Sequence, residues 1–395
     1  MPVEFIGMIA TQEASEVLPP QGPLVDADFT ARFAQVHEEG GFDRILIGYG
    51  SRWPDGWQVA NHAVRATERL KILLAHRPGF VAPTLTARQA VTFEHLTGAG
   101  RLALHIITGG DEADQRREGD FLSHDERYRR TAEYMHALRL LWESPTPVEF
   151  AGEFYRFEDA QLLVRPPGSE GIPLFFGGAS AAAVDVGARF ADVFMLWGEP
   201  LAFAAERLGA IRAAASAVGR KMRFSLSVRP ILAPTEAAAW ARAEDIAERA
   251  LAQRQRFLGA RGRRDNSSVG SARLLEAAAS ADVHDTRLWT RIAAITGAAG
   301  NSTALVGTPE QVAESLLAYV DLGFDTLLIR GFHPFQDAID YGRELIPLVR
   351  SEVARRERDC HPEVRNPRAS RGASRAPKDP RAHTLRPADP SQSLS

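Results

Sequence analysis

One cysteine among 395 residues, Cys360, leaves no partner for an intramolecular disulfide and excludes a metal site built from several thiolates. No apolar run approaches the ~20 residues that span a bilayer. The first residues, MPVEFIGMIATQE, have neither the basic stretch nor the long apolar run of a secretion signal. The expectation is therefore a protein of the cytoplasm with no membrane segment. Acidic and basic residues nearly cancel, at a formal net charge of −3, and no segment of the body gathers the basic ones, which argues against a nucleic-acid partner. A GxGxxG turn after the first strand is also missing, which weakens an open, doubly wound dinucleotide-binding sheet.

What is present is apolar residue in quantity, 45% of the chain, enough for a large core. Apolar, β-branched runs recur at Phe5–Ile9, Arg44–Gly48, Ile72–His76, Leu102–Ile107, Leu174–Phe176, Val193–Trp197, Phe224–Val228 and Thr326–Ile329. They alternate with segments at helical spacing, such as Asp26–Glu39, Leu85–Leu96, Ala181–Phe190 and Pro309–Leu322. Strands that are continuously hydrophobic are buried on both faces, and eight of them separated by helices predict an α/β fold closed as a single (β/α)8 TIM barrel with insertions. The segment Val148–Val164 alternates about Gly152 and reads as an inserted hairpin. Residues 253–302, rich in Gly, Ser and Arg, read as a mobile lid. The barrel domain is expected over 1–357. The Arg/Pro/Ser-rich residues 358–395 have too few large apolar side chains to order themselves.

The most informative stretch is Arg101 to Tyr134. A buried strand ends in Thr108-Gly109-Gly110, and a charged segment then delivers His124 and Tyr128, four apart and on one face if His124 opens a helix. In a barrel, strand C-termini face the active site. Their residues here include Tyr49, Arg52, Trp53, His76, Arg77, His105, Thr108, Gly178, Trp197, Arg229, Arg330 and His333. So many cations on one rim imply an anionic ligand. The glycines of FFGGAS at 175–180 precede a helix and let the backbone approach an anion, with Ser180 and the helix N–H groups as donors.

Together with LWGEP at 196–200 and NSTALVG at 301–307, these stretches resemble the bacterial luciferase-like flavin monooxygenases, and most closely their alkanesulfonate monooxygenase branch. The resemblance implies reduced FMN, delivered by an NAD(P)H-dependent flavin reductase, with molecular oxygen as co-substrate. It further implies a homo-oligomer, dimer or tetramer, and cleavage of a small anionic organosulfur substrate to an aldehyde and sulfite. Carried over by position, His124, Tyr128, Gly178, Ala179 and Ser180 would hold the FMN phosphate and ribityl chain, and His105 and Thr108 would meet the ring edge. His105 departs from the Asn frequent in relatives. Arg229 and Arg330 would grip the sulfonate, since a planar fork donates two N–H groups to two oxygens. His333 would carry a proton, and Trp197 would wall the pocket. Arg77 is expected to pair with neighbouring carboxylates instead. Where the alkanesulfonate enzymes carry Cys, Arg-x-His and Gly-Tyr, this chain has Trp53, Ser227-Val228-Arg229 and Gly331-Phe332-His333. A sulfosugar or sulfone therefore competes with a linear alkanesulfonate as substrate. A deazaflavin-dependent oxidoreductase and a non-catalytic flavin-binding protein are the rival classes.

Overall fold

The computed structural model describes residues 3–168, 171–261, 268–298, 300 and 302–360, with 256–261 and Cys360 described by backbone alone. Its strands are β1 (Glu4–Ile9), β2 (Arg44–Ile47), β3 (Lys71–His76), β4 (Leu102–Ile106), β5 (Val148–Ala151), β6 (Arg156–Ala160), β7 (Leu174–Gly177), β8 (Val193–Trp197), β9 (Arg223–Leu232), β10 (Val283–His284), β11 (Leu288–Trp289), β12 (Ala304–Gly307) and β13 (Thr326–Ile329). Eight of them close a parallel barrel in the order β1-β2-β3-β4-β7-β8-β9-β13, with β13 pairing back onto β1. The expected closed α/β barrel is what forms. The pair β5–β6 is the expected hairpin, turning at Gly152.

Strand alternation explains both faces of the wall. On β4, Leu102, Leu104 and Ile106 point outward into the main core beneath the helices, while Ala103 points into the barrel with Ile6, Leu73, Phe175, Val193 and Leu328. Each large apolar side chain so buried contributes about 1.5–3 kcal/mol. Below this apolar plug, Arg44 and Arg223 share the carboxylate of Glu4 at 2.9 and 3.4 Å. Above it, the next inward position on β4 is His105, so the plug is the floor of the mouth and the polar residues above it line the opening.

Helices start where side chains can accept their free N–H groups. Asp26, Asp55, Ser123, Ser180 and Thr308 each cap one, and Ser123 with Glu126 forms a reciprocal capping box. That box starts the helix His124–Glu143 at the expected residue.

The segment 253–302, expected as a lid, is not an irregular loop. Among the described residues it is helix and strand: the end of the helix Glu236–Arg261, then Val269–Ser280, the β10–β11 hairpin and the helix Arg291–Thr296. The reason lies in β9, which is twice as long as expected. Its first half pairs with β8 and β13 in the barrel, and its second half, Arg229–Leu232, leaves to pair with β12, which in turn carries β11. Of the arginines in the segment 253–302, Arg261 is described by backbone alone, and Arg263 and Arg264 lie outside the described residues. The last helix, Ile346–Cys360, runs past the expected boundary near 357. Its residues from Arg355 belong to a second unit, Arg355–Ser395. The tail from 361 on lies outside the described residues. Among the described residues no helix is long and apolar enough to cross a membrane.

Candidate active site

Five neighbouring strands, β4, β7, β8, β9 and β13, lead into the proposed site residues side by side around the mouth, except His124 and Tyr128, which the helix His124–Glu143 supplies. The β7 end is the most built. Gly178 follows the strand with φ +155, and a Cβ there would stand 2.6 Å from the Ala183 Cβ and 3.2 Å from the Tyr128 hydroxyl. Only glycine fits, and the space it leaves lies against the start of the helix Ala181–Phe190. Ser180 caps that helix, accepting from Ala183 N–H at 3.2 Å. Burial pushes the Tyr128 phenol up, a hydrogen bond with Ser180 working against it. The His124 ring lies 4.8 Å from that of Tyr128. His124 is half-exposed, its Nδ1 2.8 Å from Asp125 Oδ1. The five residues His124, Tyr128, Gly178, Ala179 and Ser180 are thus brought together. Their donors are a phenol, an imidazole, a hydroxyl and a helix N-terminus, which is the complement of a phosphate.

Beneath this cradle lies a residue that sequence reasoning missed. Arg207, from the helix Leu201–Ala217, donates through Nη1 to Ala179 O at 3.0 Å and through Nη2 to Gly178 O at 3.1 Å. It holds both carbonyls of the turn and sets a positive charge against it.

On β4, burial pushes the His105 imidazole down to about 4, so it is neutral at pH 7, and its buried Nδ1 has no protein partner. An unpartnered buried ring nitrogen at a barrel mouth is a place for a ligand's hydrogen-bonding edge. Thr108 is buried, its hydroxyl donating to Thr131 Oγ1 at 3.2 Å while its carbonyl accepts from Gln115 Nε2 at 3.1 Å. Gln115 thereby fixes the Thr-Gly-Gly turn. A phosphate cradle on one strand and an unpartnered imidazole on the next fit a flavin mononucleotide.

Trp197 ends β8 beneath the helix Val269–Ser280, where a Cβ on Gly270 would come within 3.1 Å of the indole and 3.7 Å of the Ala179 Cβ. Arg273 of that helix fastens it to the rim by a two-pronged ion pair with buried Glu199, at 2.8 and 2.7 Å. The inserted unit therefore covers one side of the mouth.

The arginines are less free than the sequence reading had them, because each has found a carboxylate. Arg77 is held by Glu118 at 2.9 Å and Asp114 at 2.8 Å, the expected structural pairing. Arg229 and Arg330 share Glu16, which gives Oε2 to Arg229 at 3.0 Å and Oε1 to Arg330 at 3.1 Å. Burial works against that carboxylate, but the two guanidinium groups pull it down to about 2. Arg229 is fully buried, and its Cζ lies 3.5 Å from the centre of the Phe332 ring. His333 caps the helix Pro334–Asp340, its N–H donating to Asp337 Oδ2 at 2.9 Å, and its Nδ1 is buried without a partner. Trp53 is exposed, but its indole lies where a Gly48 side chain would enter the mouth, 2.6 Å from a Cβ placed there.

The sequence pattern described as luciferase-like monooxygenase matches residues 3–326. Among solved structures, a riboflavin lyase (RcaE) with modified FMN and its substrate riboflavin superposes with a TM-score of 0.73 at 19% identity, covering 89% of this chain and 92% of the other. The EDTA monooxygenase (EmoA) of Chelativorans sp. BNC1 gives 0.72 at 17%, over 89% and 95%. An F420-dependent secondary alcohol dehydrogenase with an F420–acetone adduct gives 0.65 at 15%, over 88% and 99%.

Proposed function

The chain belongs to the luciferase-like monooxygenase family, and from that premise we propose that it is a two-component monooxygenase using reduced FMN, supplied by an NAD(P)H-dependent flavin reductase, to cleave the C–S bond of an organosulfonate. The observation that carries the flavin reading is the phosphate cradle of Gly178, Ser180, Tyr128 and His124 with Arg207 behind it. A deazaflavin reading shares the barrel.

Ser180, the first N–H groups of the helix Ala181–Phe190, Tyr128 and His124 hold the phosphate, and neutral His105 meets the ring edge without adding charge. Reduced FMN, when bound, supplies the two electrons that activate oxygen. One oxygen atom ends in the aldehyde and the other in water, and sulfite leaves with the former C–S bonding pair. Arg229 and Arg330 orient the sulfonate, His333 moves a proton at Nδ1, and Trp197 under the inserted helix excludes water. The test is a panel of linear alkanesulfonates, sulfosugars and sulfones, each supplied with oxygen, FMN and a flavin reductase. Sulfite release from at least one sulfonate supports the reading, whereas a sulfone would release a sulfinate instead. Release from none overturns the substrate class.

A further inference from the structure

The pairing at the β9 and β13 ends is unusual for a structural ion pair, because it is incomplete. Arg77 has both Nη atoms on separate carboxylates and lacks a partner only at Nε. Arg229 and Arg330 instead divide one carboxylate between them, one oxygen each. Arg229, with a side-chain exposure of 0%, keeps Nε and Nη1 unpartnered, and Arg330 keeps Nε unpartnered. Burying guanidinium N–H groups without acceptors is costly, and a site that exists only for stability has cheaper solutions. The cluster carries two positive charges against one negative, with donors left over.

The carboxylate is also the accessible member. Glu16 is 31% exposed and Arg330 28%, whereas Arg229 lies behind them. Glu16 sits in the link between β1 and the helix Ala27–Glu39, whose backbone on either side of it is held by contacts other than its carboxylate. The Ser15 hydroxyl donates to Phe332 O at 2.6 Å, the Ser15 backbone carbonyl accepts from Gln253 Nε2 at 3.0 Å, and Val17 is buried against the outer half of β9. The side chain alone can therefore swing off without moving the link. An oxyanion of three oxygens arriving from the mouth would answer the donors that Glu16's two cannot. The Phe332 ring holds the Arg229 plane ready for it.

We propose that Glu16 is a built-in counter-ion, holding Arg229 and Arg330 in the empty site and displaced by the anionic end of the substrate, so that its hold sets which substrates the mouth accepts. This rests on the organosulfonate reading above, and its test needs no turnover.

Propane-1-sulfonate is titrated calorimetrically into the wild type, Glu16→Gln and Glu16→Asp, each saturated with oxidised FMN so that the phosphate cradle is closed to the probe. Glu16→Gln, having lost the competing charge, binds the sulfonate at least roughly tenfold tighter than the wild type. Glu16→Asp, which keeps the charge on a shorter arm, lies between. Glu16→Gln also melts lower than the wild type when empty and regains the difference in excess sulfonate. Adding Arg229→Met to Glu16→Gln abolishes the gain. Equal affinity in wild type and Glu16→Gln, or a gain that survives Arg229→Met, overturns the proposal and leaves Glu16 a structural partner. Tight sulfonate binding by Glu16→Gln without sulfite release from any substrate would overturn the proposed reaction and leave the counter-ion standing.

Discussion

The Arg207 guanidinium reaches Gly178 O at 3.1 Å from beneath the turn that follows β7. With its second bond to Ala179 O, it fixes the two peptide planes of that turn. Under the proposed FMN reading, Arg207 positions the turn that would hold the phosphate. Hydrogen bonds from a charged donor contribute about 1.5–3 kcal/mol. Arg207→Met should weaken FMN binding roughly tenfold or more and leave riboflavin binding unchanged, by flavin fluorescence titration. Equal loss for both flavins would reduce Arg207 to general packing.

Gly178 makes a sharper prediction. Alanine there must displace Ala183 and intrudes beside the Tyr128 hydroxyl. The strain, about 1–3 kcal/mol, falls on the helix start that faces the phosphate. Gly178→Ala should lose most of its FMN affinity while the circular dichroism of the barrel is kept. Full retention of affinity would show that the turn does not face the ligand.

Three buried imidazoles, His37, His76 and His105, are each pushed by burial down to about 4 from the ordinary 6.5. Below pH 6.5 the unfolded chain takes up protons that the folded chain refuses, so stability falls as pH drops toward 4 and is flat above about 7. At pH 5 each such group costs on the order of 2 kcal/mol. Urea unfolding at pH 7.5 and pH 5 should show a clear drop in midpoint, smaller in His76→Gln. An unchanged midpoint would mean that these rings accept protons in the folded state.

Arg273 and Glu199 tie the inserted helix Val269–Ser280 to the end of β8. Removing Arg273 leaves the largely buried Glu199 carboxylate unpaired. In Arg273→Ala, amide exchange in Val269–Ser280 should rise roughly tenfold while β1 to β4 exchange as before. Uniform exchange across the chain would argue that the helix is held by its packing on Trp197 alone.

The barrel was legible because its strands are buried on both faces and so read as unbroken apolar runs; Val193–Trp197 and Thr326–Ile329 need no adjustment. The outer half of β9 was not legible, since Pro230 offers no N–H and normally ends a strand. The strands β10 and β11, two residues each, are too short for alternation to show. In the site, His124 with Tyr128 was readable from helical spacing and FFGGAS from its glycines, because both are local patterns. Glu16 and Arg207 were not. Glu16 lies in a Pro-rich link without periodicity, and Arg207 is one cation on an Ala-rich helix; their partners are 213 and 29 residues away. No local pattern carries contacts of that separation. Charge counting along the rim pointed the other way, because it saw the arginines and not the carboxylates that meet them.

The central claim is that this mouth activates oxygen on reduced FMN at the expense of a C–S bond. The most direct measurement mixes the protein, loaded anaerobically with reduced FMN and the sulfonate that releases most sulfite, with oxygenated buffer, and follows oxygen uptake and sulfite together over a single turnover. The account predicts sulfite, aldehyde and oxygen consumed in equal amounts, with little product when Arg229→Lys replaces the wild type. Turnover with reduced F420 and no oxygen uptake, or oxygen consumed only to hydrogen peroxide with the sulfonate left intact, would contradict it.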